Sequence, residues 1–333
     1  MSNYCTYMIS VGVMGYNQEK YVRQAMESVL AQQCSYPFEI VIGDDASTDN
    51  TRTILEEYQQ KHPGKIRLLP RAPNKGVLRN YADVVNACTG KYIAFCHCDD
   101  YWHDSLKLQK QVDFLENNPD YGLVHTDANF FIETTGSTLY SYHGKVHPNM
   151  PEGNVFEALL QGQFSIVTPT ALYSKAAMDK YVDFNEFEKA GFLYEDLPTW
   201  LALSKHVKFK FLKDATSTYR VIENSHSHPK NGDRKLFLFQ GHYNMKKHFI
   251  KKYNVSADIE RKFEIQYNRI RFDLAYKWGK YNEGLEAFNF LKSEKAVTYK
   301  MRLKKLSLQL PFLRKTIKNI KSLYLPKTSL SRL

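Results

Sequence analysis

Residues 38–51 read FEIVIGDDASTDNT, and this stretch decides the fold. Its first part, FEIVIG, is a short apolar run typical of a buried strand. Two aspartates follow, and then Ser47 or Thr48 stands where a residue can cap the helix that comes next. A strand that passes through a polar turn into a helix is the repeating unit of α/β proteins. The stretch therefore predicts one such unit.

The same unit recurs through the first 130 residues. Further strands are predicted at 7–14, 65–69 and 91–96, and an apolar stripe at helical spacing follows each of them. Asp104 is placed to cap the helix after the last of these strands. The alternation predicts an α/β fold, with a mixed, mostly parallel sheet that helices flank on both faces.

The pattern changes beyond Tyr121. An apolar run followed by TTGS predicts a hairpin, and a further strand is expected at 168–174. LYEDLPTWLALSKH indicates a helix, and FKFL and STYRVI indicate two more strands. From about Asp233 the pattern is helical, with WGKYNEG as a turn between two helices. We therefore expect a first domain over 1–230 and a helical extension over 231–333.

The positive charge is concentrated at the C-terminus. The chain has a formal net charge of +11, and residues 292–333 account for all of it with 12 Lys or Arg and one Glu. The remaining residues are neutral overall. This argues against a nucleic-acid-binding domain, whose charge should spread across the folded face, so no nucleic-acid partner is expected.

Three sequence features bear on location. No stretch approaches the roughly 18 consecutive apolar residues of a membrane span. The N-terminus, MSNYCTYMIS, lacks the basic and apolar segments of a secretory signal. Five scattered cysteines favour a reducing compartment over a disulfide framework. A cytoplasmic protein is therefore expected.

Polar side chains follow three of the predicted strands, at the point where each strand ends. They are Asn17 after the first strand, Asp44 and Asp45 after the second, and Asp99 and Asp100 after the fourth. Ligands bind at the carboxyl ends of strands in open parallel sheets. Clustered carboxylates repel each other unless a cation or a hydrogen-bonding ligand joins them. The pattern predicts a ligand site at this edge.

The stretch CHCDDYW at 96–102 suggests two different metal sites. In an extended strand Cys96 and Cys98 share one face and His97 takes the other, so the three cannot converge on one ion. The other three cysteines are isolated, whereas a structural zinc site needs about four ligands. We interpret the cysteines as small apolar residues, and the aspartates as suited to Mg²⁺ or Mn²⁺.

Five segments together resemble the catalytic domain of family 2 glycosyltransferases, over roughly residues 7–228. They are VGVMGYNQEKYVRQAMESVLAQQ, FEIVIGDDASTDNT, NKGVLRNYADVVNACTGKYIAFCHCDDYW, YEDLPTWLALSKH and TYRVIENSHSH. The resemblance implies a GT-A (Rossmann-like) fold, a nucleotide-sugar donor and a divalent cation, Mn²⁺ or Mg²⁺. It also implies inversion of the anomeric centre. The nucleotide-binding half would be about 1–120 and the acceptor half about 121–230.

The resemblance also implies roles for individual residues. Those implied to bind the donor are Asn17, Asp44, Asp45 (at the nucleotide base), Arg79, Asp99 and Arg220. The implied metal ligands are Asp100, which ends the DxDD motif of the family, and His228, in a loop over the pyrophosphate. Asp196 matches the catalytic base. The chain departs from the family at His97, where many relatives have the first Asp of DxDD, and the role of His97 stays open.

Several alternatives remain at this stage. Asp196 is also placed to cap the helix that contains Pro198, and His228 stands in a polar loop where a surface histidine is common. The leading hypothesis is transfer of a hexose or N-acetylhexosamine from a UDP-sugar to a hydroxyl of a glycan or lipid-linked glycan. Such a reaction suits polysaccharide biosynthesis, of lipopolysaccharide or capsule. The alternative is a non-catalytic nucleotide-sugar-binding protein.

The basic tail carries one apolar stripe at helical spacing: Leu303, Leu306, Leu310, Leu313, Ile317, Ile320 and Tyr324. Three interpretations fit, namely an interfacial helix on an anionic membrane, a dimer seam, and a helix packed on the body. The near absence of acids disfavours a seam, which would juxtapose like charges. We favour peripheral attachment to the inner face of the cell membrane.

Overall fold

The computed structural model describes residues 7–70, 73–223, 225, 227 and 229–309. The chain forms two compact units. The first comprises Met1–Lys230 together with Asn244–Lys252, and the second comprises Asn231–Tyr243 together with Tyr253–Leu333.

A nine-stranded sheet lies at the centre of the first unit. Its strands are β1 (Ile9–Gly15), β2 (Phe38–Asp44), β3 (Ile66–Leu68), β4 (Tyr92–His97), β5 (Tyr101–Trp102), β6 (Tyr121–Ile132), β7 (Ser137–Leu139), β8 (Ala171–Ser174) and β9 (Lys208–Val221). The spatial order is β3-β2-β1-β4-β8-β6-β9-β5, with β7 paired to β6. The four strands from β3 to β4 are parallel, and β8 runs antiparallel to both of its neighbours. The predicted α/β fold is confirmed.

Nine helices of the part that the structure describes belong entirely to the first unit. They are α1 (Val22–Leu30), α2 (Thr51–Lys61), α3 (Val77–Ala87), α4 (Lys107–Asn117), α5 (Tyr142–Val146), α6 (Phe156–Gln161), α7 (Lys175–Tyr181), α8 (Phe184–Lys189) and α9 (Asp196–Ser204). The N-terminal strands are buried on both faces, as the continuous apolar run ISVGVM of β1 illustrates. Strands that helices cover on both sides show such runs rather than alternation.

Some boundaries differ from the sequence predictions. Neither Ser47 nor Thr48 caps α2, which begins at Thr51 after Asn50. The first backbone N–H of α2, that of Thr51, instead donates a hydrogen bond of 2.9 Å to Oδ1 of Asp49. The cap prediction for Asp104 is also wrong, since α4 begins at Lys107. Polar side chains in these turns accept hydrogen bonds from neighbouring loop N–H groups. Whether such a residue also caps the next helix depends on how the loop folds.

Three further predictions concern the second half of this unit. The hairpin around TTGS is confirmed as β6 and β7, which pair antiparallel. FKFL and STYRVI form a single long strand, β9, rather than two strands. Thr168–Thr170 is a 3₁₀ turn, and the predicted strand begins only at Ala171. Pro169 at the centre of that turn explains the late start, because proline cannot donate to a strand ladder.

The second unit is helical as far as the structure describes it. It contains α11 (Ala257–Trp278), α12 (Tyr281–Ser293), α13 (Tyr299–Gln309) and the first part of α10 (Gly232–Lys252). Its core includes Phe272, Ala287, Phe288, Leu291 and Met301. The predicted turn is confirmed at Gly279, whose φ of 73° ends α11 in the left-handed region that suits glycine.

Only the beginning of the apolar stripe in the tail lies within the described residues. Leu303 and Leu306 are about half exposed on α13. The rest of the stripe, from Leu310 to Tyr324, lies outside them. Among the described helices, none combines the length and the apolar character needed to cross a membrane.

Candidate active site

A cleft of about 600 Å³ lies at the carboxyl ends of β1, β2 and β4, where the sequence placed the ligand site. Residues of α9, β9 and the turn before β8 form its other walls. Among the lining residues are Gly15, Tyr16, Asp45, Gly76, Asn80, His97, Asp99, Asp100, Thr168, Tyr194, Glu195, Asp196, Tyr219 and Arg220. Of the candidates from the sequence, the structure brings together Asp45, Asp99, Asp100, Asp196 and Arg220.

Asp45 forms part of one wall together with the loop that precedes α3. Its Oδ1 accepts a hydrogen bond from the backbone N–H of Lys75 at 2.7 Å, and its Oδ2 accepts one from Gly76 at 2.9 Å. Gly76 has a φ of 82°, a conformation that favours glycine. Each carboxylate oxygen has a second lone pair. Asp45 can therefore hold its loop and still accept a donor from a ligand.

Asn80 also lines the cleft, and the sequence analysis did not select it. Its Nδ2 donates to the carbonyl of Gly43 at 3.0 Å. A Cβ at position 43 would lie 2.5 Å from Oδ1 of Asn80, so the close contact requires glycine there. The signal available in the sequence was an asparagine within the apolar stripe of α3. A buried polar side chain of this kind needs a specific partner.

Arg79, its neighbour, lies outside the cleft. Its side chain is 42% exposed, within 3.5 Å of Glu188 and 3.3 Å of Asn185. It lines a smaller adjoining pocket of about 280 Å³, which shares Gly76 and Val77 with the cleft wall. The structure therefore does not bring Arg79 into the same cavity as the acidic residues.

Asn17 and Asp44 connect the loops that follow β1 and β2. Oδ1 of Asn17 accepts from the N–H of Thr48 at 2.8 Å, and the Asn17 N–H donates to Oγ of Ser47 at 2.9 Å. The carboxylate of Asp44 accepts from the N–H of Ser47 at 3.3 Å. Neither Asn17 nor Asp44 is among the cleft-lining residues of the described chain. Their contacts shape the loops on which Asp45 stands.

His97, Asp99 and Asp100 form a cluster at the end of β4. One potential ligand atom from each lies within 4.8 Å of the others. Cys96 and Cys98 are fully buried in the sheet core, whereas His97 faces the cleft, so the predicted separation of thiols and imidazole is confirmed. His228 lies outside the described residues.

The protonation of this cluster is shifted by burial. Burial raises the pKa of Asp99 and that of Asp100, and the neighbouring Asp99 charge raises the pKa of Asp100 further. Burial lowers the pKa of His97. Each shift disfavours the charged form in a low-dielectric site. Two carboxyl groups and one imidazole are a donor set that fits a divalent cation, which would favour the ionised carboxylates.

Arg220, on β9, is held in the cleft wall by several contacts. Its backbone N–H donates to Oδ1 of Asp100 at 2.8 Å, and its Nε donates to the carbonyl of Asp99 at 2.9 Å. The rest of the guanidinium binds Glu133 at 2.9 Å and Gln24 at 2.6 Å. The last two partners were not apparent from the sequence, because they lie 87 and 196 residues away.

Asp196 is the first residue of α9. Its Oδ1 accepts from the N–H of Leu197 at 2.6 Å, and burial raises its pKa. The N-cap of α9 is Glu195, so the alternative that Asp196 is an N-cap is wrong. The pKa of Glu195 is raised to about 8, first by burial and then by the charges of Asp196 and Asp99. Two neighbouring carboxyl groups thus face one cleft.

Comparisons with known sequences agree on one family. Residues 10–182 match the model described as glycosyl transferase family 2. A protein of Mycobacterium tuberculosis is 45% identical over 112 residues, which cover 34% of this chain and 32% of that relative. An uncharacterized glycosyltransferase of Methanocaldococcus jannaschii is 26% identical over 251 residues, covering 73% of this chain and 81% of the relative.

A third relative has a more specific name. TuaG of Bacillus subtilis, whose name assigns it to teichuronic acid biosynthesis, is 28% identical over 232 residues. The match covers 67% of this chain and 82% of TuaG. By contrast, the chain spans only about a third of the length of the mycobacterial relative.

Two solved structures have the same fold. The fragment 1–349 of TarS of S. aureus, in complex with UDP-GlcNAc, gives a TM-score of 0.53 at 17% identity, covering 90% of this chain and 91% of that fragment. Mannosyltransferase PcManGT of Pyrobaculum calidifontis, in complex with GDP-Man and Mn²⁺, gives 0.56 at 15% identity, covering 95% and 88%. The predicted GT-A fold is thereby confirmed.

Proposed function

The chain belongs to glycosyl transferase family 2, and we propose that it catalyses inverting transfer of a hexose or N-acetylhexosamine from a UDP-sugar. The acceptor is a hydroxyl of a glycan or lipid-linked glycan in the assembly of a surface polysaccharide. One observation carries the proposal: Asp45, the Asp99–Asp100 pair and Asp196 all face one cleft. That cleft is the size of a small-molecule site.

The donor occupies the side of the cleft at the strand ends. Asp45 accepts an N–H of the nucleotide base with its remaining lone pairs, while the loop before α3 keeps the carboxylate in place. Arg220 holds the wall near the diphosphate through Asp99 and Asp100. TarS was crystallised with UDP-GlcNAc, which agrees with a UDP-sugar, whereas PcManGT was crystallised with GDP-Man, so the donor screen below includes both nucleotides.

The cluster at the end of β4 holds a divalent cation, Mn²⁺ or Mg²⁺. Asp100 is its anchor, Asp99 lies beside it, and a Mn²⁺ complex of PcManGT supports this assignment. When bound, the cation supplies electrostatic stabilisation of the negative charge that develops on the diphosphate.

Asp196 acts as the general base. Its carboxylate takes the proton of the acceptor hydroxyl as that oxygen attacks the anomeric carbon, and the bond to the diphosphate breaks on the opposite face. Burial raises the pKa of Asp196, which makes it a better proton acceptor than an exposed aspartate. Because the acceptor attacks directly, without a covalent sugar–enzyme intermediate, the configuration inverts.

The other parts of the chain, including the basic tail, are assigned supporting roles. We assign residues 1–230 to the catalytic domain and 231–333 to a helical extension. The excess of Lys and Arg in the tail supports attachment to an anionic membrane surface, where each basic residue contributes about 1 kcal/mol. A lipid-linked acceptor would be reached from that surface.

The proposal is tested by a donor screen on the full chain with Mn²⁺, comparing UDP-glucose, UDP-galactose, their N-acetylamino forms and GDP-mannose. For the donor that is turned over, Asp196→Asn should lower kcat by about 10²–10⁴-fold, since one positioned base contributes that much. UDP affinity should stay unchanged. Asp179→Asn is the control, because Asp179 is exposed and pairs only with Lys175 among described residues.

Each outcome separates the alternatives. Unchanged turnover in Asp196→Asn would show that another group is the base. Tight UDP-sugar binding without turnover by the unaltered protein, with every donor and a range of acceptors, would favour the non-catalytic nucleotide-sugar-binding alternative.

A further inference from the structure

We propose that His97 is a nitrogen ligand of the divalent cation and makes the site select Mn²⁺ and similar transition metals over Mg²⁺. The proposal rests on the metal-assisted reaction proposed above and concerns a residue to which no role has been assigned. It depends on the placement of one imidazole nitrogen at the end of β4.

The position of His97 is set by the strand. It is the last residue of β4, and Asp99 and Asp100 follow it in the turn. The alternation along the strand sends the His97 side chain into the cleft and the thiols on either side of it into the core. Its ring stands edge-on to Phe95, with 6.3 Å between centroids, which restricts its rotation. The imidazole is thus held beside the two carboxyl groups.

The second observation is a buried nitrogen without a hydrogen bond. Within the part of the chain that the structure describes, Nε2 of His97 is solvent-inaccessible and has no hydrogen-bonding partner. The nearest acidic oxygen, Oε1 of Glu195, is 3.6 Å away, which is too long for a hydrogen bond. Buried polar atoms are normally satisfied, so this nitrogen at the cleft wall needs a partner that the protein does not supply, which can be a water, a ligand or an ion.

The three side chains have compatible geometry for one ion. One donor atom of each lies within 4.8 Å of the others, so a cation between them can contact all three at ordinary bond lengths with small side-chain rotations. His97 therefore supplies a donor at the motif position where many relatives have an aspartate. The departure from the family pattern thus places a nitrogen donor where many relatives have a carboxylate.

This replacement changes metal preference. Mg²⁺ favours oxygen ligands and keeps much of its water shell. Imidazole suits Ni²⁺ and Zn²⁺ best; Mn²⁺ also prefers oxygen ligands, but as a transition metal it accepts one nitrogen ligand more readily than Mg²⁺ does. Removing a carboxylate also removes one negative charge, which weakens a purely electrostatic site for Mg²⁺. Both effects act in the same direction, so the site should discriminate against Mg²⁺ more strongly than an all-oxygen cluster would.

The test measures metal binding directly on the full chain with UDP present. Mn²⁺ is titrated and the free aqua ion is followed by electron paramagnetic resonance, and Mg²⁺ is then added as a competitor. Bound Mn²⁺ should show a nitrogen hyperfine coupling from His97. The comparison is made in a His228→Gln background, which removes the other implied histidine ligand. There His97→Asp should abolish the coupling, and the preference for Mn²⁺ over Mg²⁺ should fall by about tenfold.

Two further variants keep the result interpretable. His97→Asn preserves a neutral side chain in case the added carboxylate prevents folding, and it should also lose the nitrogen coupling. His147→Asn is the control, because His147 lies outside the cleft-lining set of the described chain, and it should behave like the unaltered protein.

The inference is overturned if bound Mn²⁺ shows no nitrogen coupling, or if His97→Asp retains both the coupling and the original metal preference. Neither readout requires turnover. A protein that shows the coupling but transfers no sugar contradicts the proposed function and leaves the metal ligand standing. A protein that transfers sugar but shows no nitrogen coupling contradicts the metal-ligand proposal and leaves the proposed function standing.

Discussion

The backbone N–H of Arg220 donates a hydrogen bond of 2.8 Å to Oδ1 of Asp100, across 120 residues of sequence. The bond connects β9 to the turn after β4, and the Arg220 side chain reinforces it by binding the carbonyl of Asp99. Asp100 and the backbone of Asp99 are therefore oriented by β9, a strand from the second half of the first unit. The cleft exists only when both halves are folded.

Replacing the Arg220 guanidinium should destabilise the protein. In Arg220→Met the backbone bond to Asp100 persists, but the bonds of the buried guanidinium to the partly buried Glu133 and the exposed Gln24 are lost. Losing charged hydrogen bonds of this kind costs about 1.5–3 kcal/mol of unfolding free energy, measurable by urea denaturation. Lys20→Met is the matched control. It removes the other, largely exposed cation on Glu133 and should cost less than about 1 kcal/mol. Equal losses in the two variants would contradict this assignment.

Replacing Asp45 should weaken nucleotide binding. Asn has one acceptor oxygen where Asp has two, so Asp45→Asn loses the hydrogen bond to Lys75 or to Gly76 and places an NH₂ group against that N–H. We expect a loss of stability of about 1–2 kcal/mol. The affinity for UDP, measured by calorimetry, should fall by about tenfold, which corresponds to one lost hydrogen bond.

The control for this variant is Asp49→Asn. Asp49 also accepts two backbone bonds, from Glu19 and Thr51, but does not line the cleft of the described chain. It should lose comparable stability and keep its UDP affinity. If both variants bind UDP equally well, Asp45 has no direct contact with the nucleotide.

Lys107 should make the stability depend on pH. It is fully buried, its Nζ donates to Gln111 at 2.6 Å, and burial lowers its pKa from 10.5 to about 7. Between these two values the unfolded chain binds more protons at this site than the folded protein. The contribution of Lys107 to the unfolding free energy should therefore rise as the pH rises from about 7 towards 10.5. Below about 7 this contribution should be constant, because the amine is then protonated in both states.

The variant Lys107→Met tests this directly by denaturation at several pH values. It removes one titrating group, so the slope of the unfolding free energy against pH should become shallower over this window, while other groups such as Lys246, whose pKa is lowered by desolvation to about 8, keep contributing. At neutral pH the variant avoids burying an amine but takes the Lys107 donor from Oε1 of the buried Gln111, so the pH slope and not the absolute stability is the readout. Lys110→Met, a partly exposed neighbour that pairs with Asp104, should leave the slope unchanged. An unchanged slope in Lys107→Met would assign the pH dependence to other groups.

The basic tail should be needed for membrane association. A variant shortened before α13 would lose Met301, which packs in the core of the second unit, so the test variant ends after Gln309. It loses six Lys or Arg and no acidic residue. Sedimentation with vesicles containing phosphatidylglycerol at low salt should be lost, and UDP affinity should be retained. The full chain in high salt is the control, since screening should release it as well. Continued sedimentation of the shortened chain at low salt would place the attachment elsewhere.

Much of the site was predictable because the sheet rules act locally. A buried strand followed by aspartates predicted that Asp45, Asp99 and Asp100 would meet at one edge, and alternation along β4 predicted that the thiols and His97 would separate. Both followed from short stretches of sequence. The helix caps were harder. Ser47 accepts from the amide of Asn17, which comes near only after folding, and Asp104 accepts from the amide of Leu106, which lies before the start of α4.

The sequence by itself determined the α/β fold, the edge of the sheet that carries the acidic residues and the concentration of charge in the tail. These depend on periodicity and composition, which are local properties. The tertiary structure alone decided which polar groups share a cavity. It placed Arg79 against Glu188 in an adjoining pocket, brought Glu133 and Gln24 onto Arg220, and set the His97 nitrogen 3.6 Å from Glu195. Such pairings join residues far apart in the chain, and only the packing of distant elements sets the distances between them.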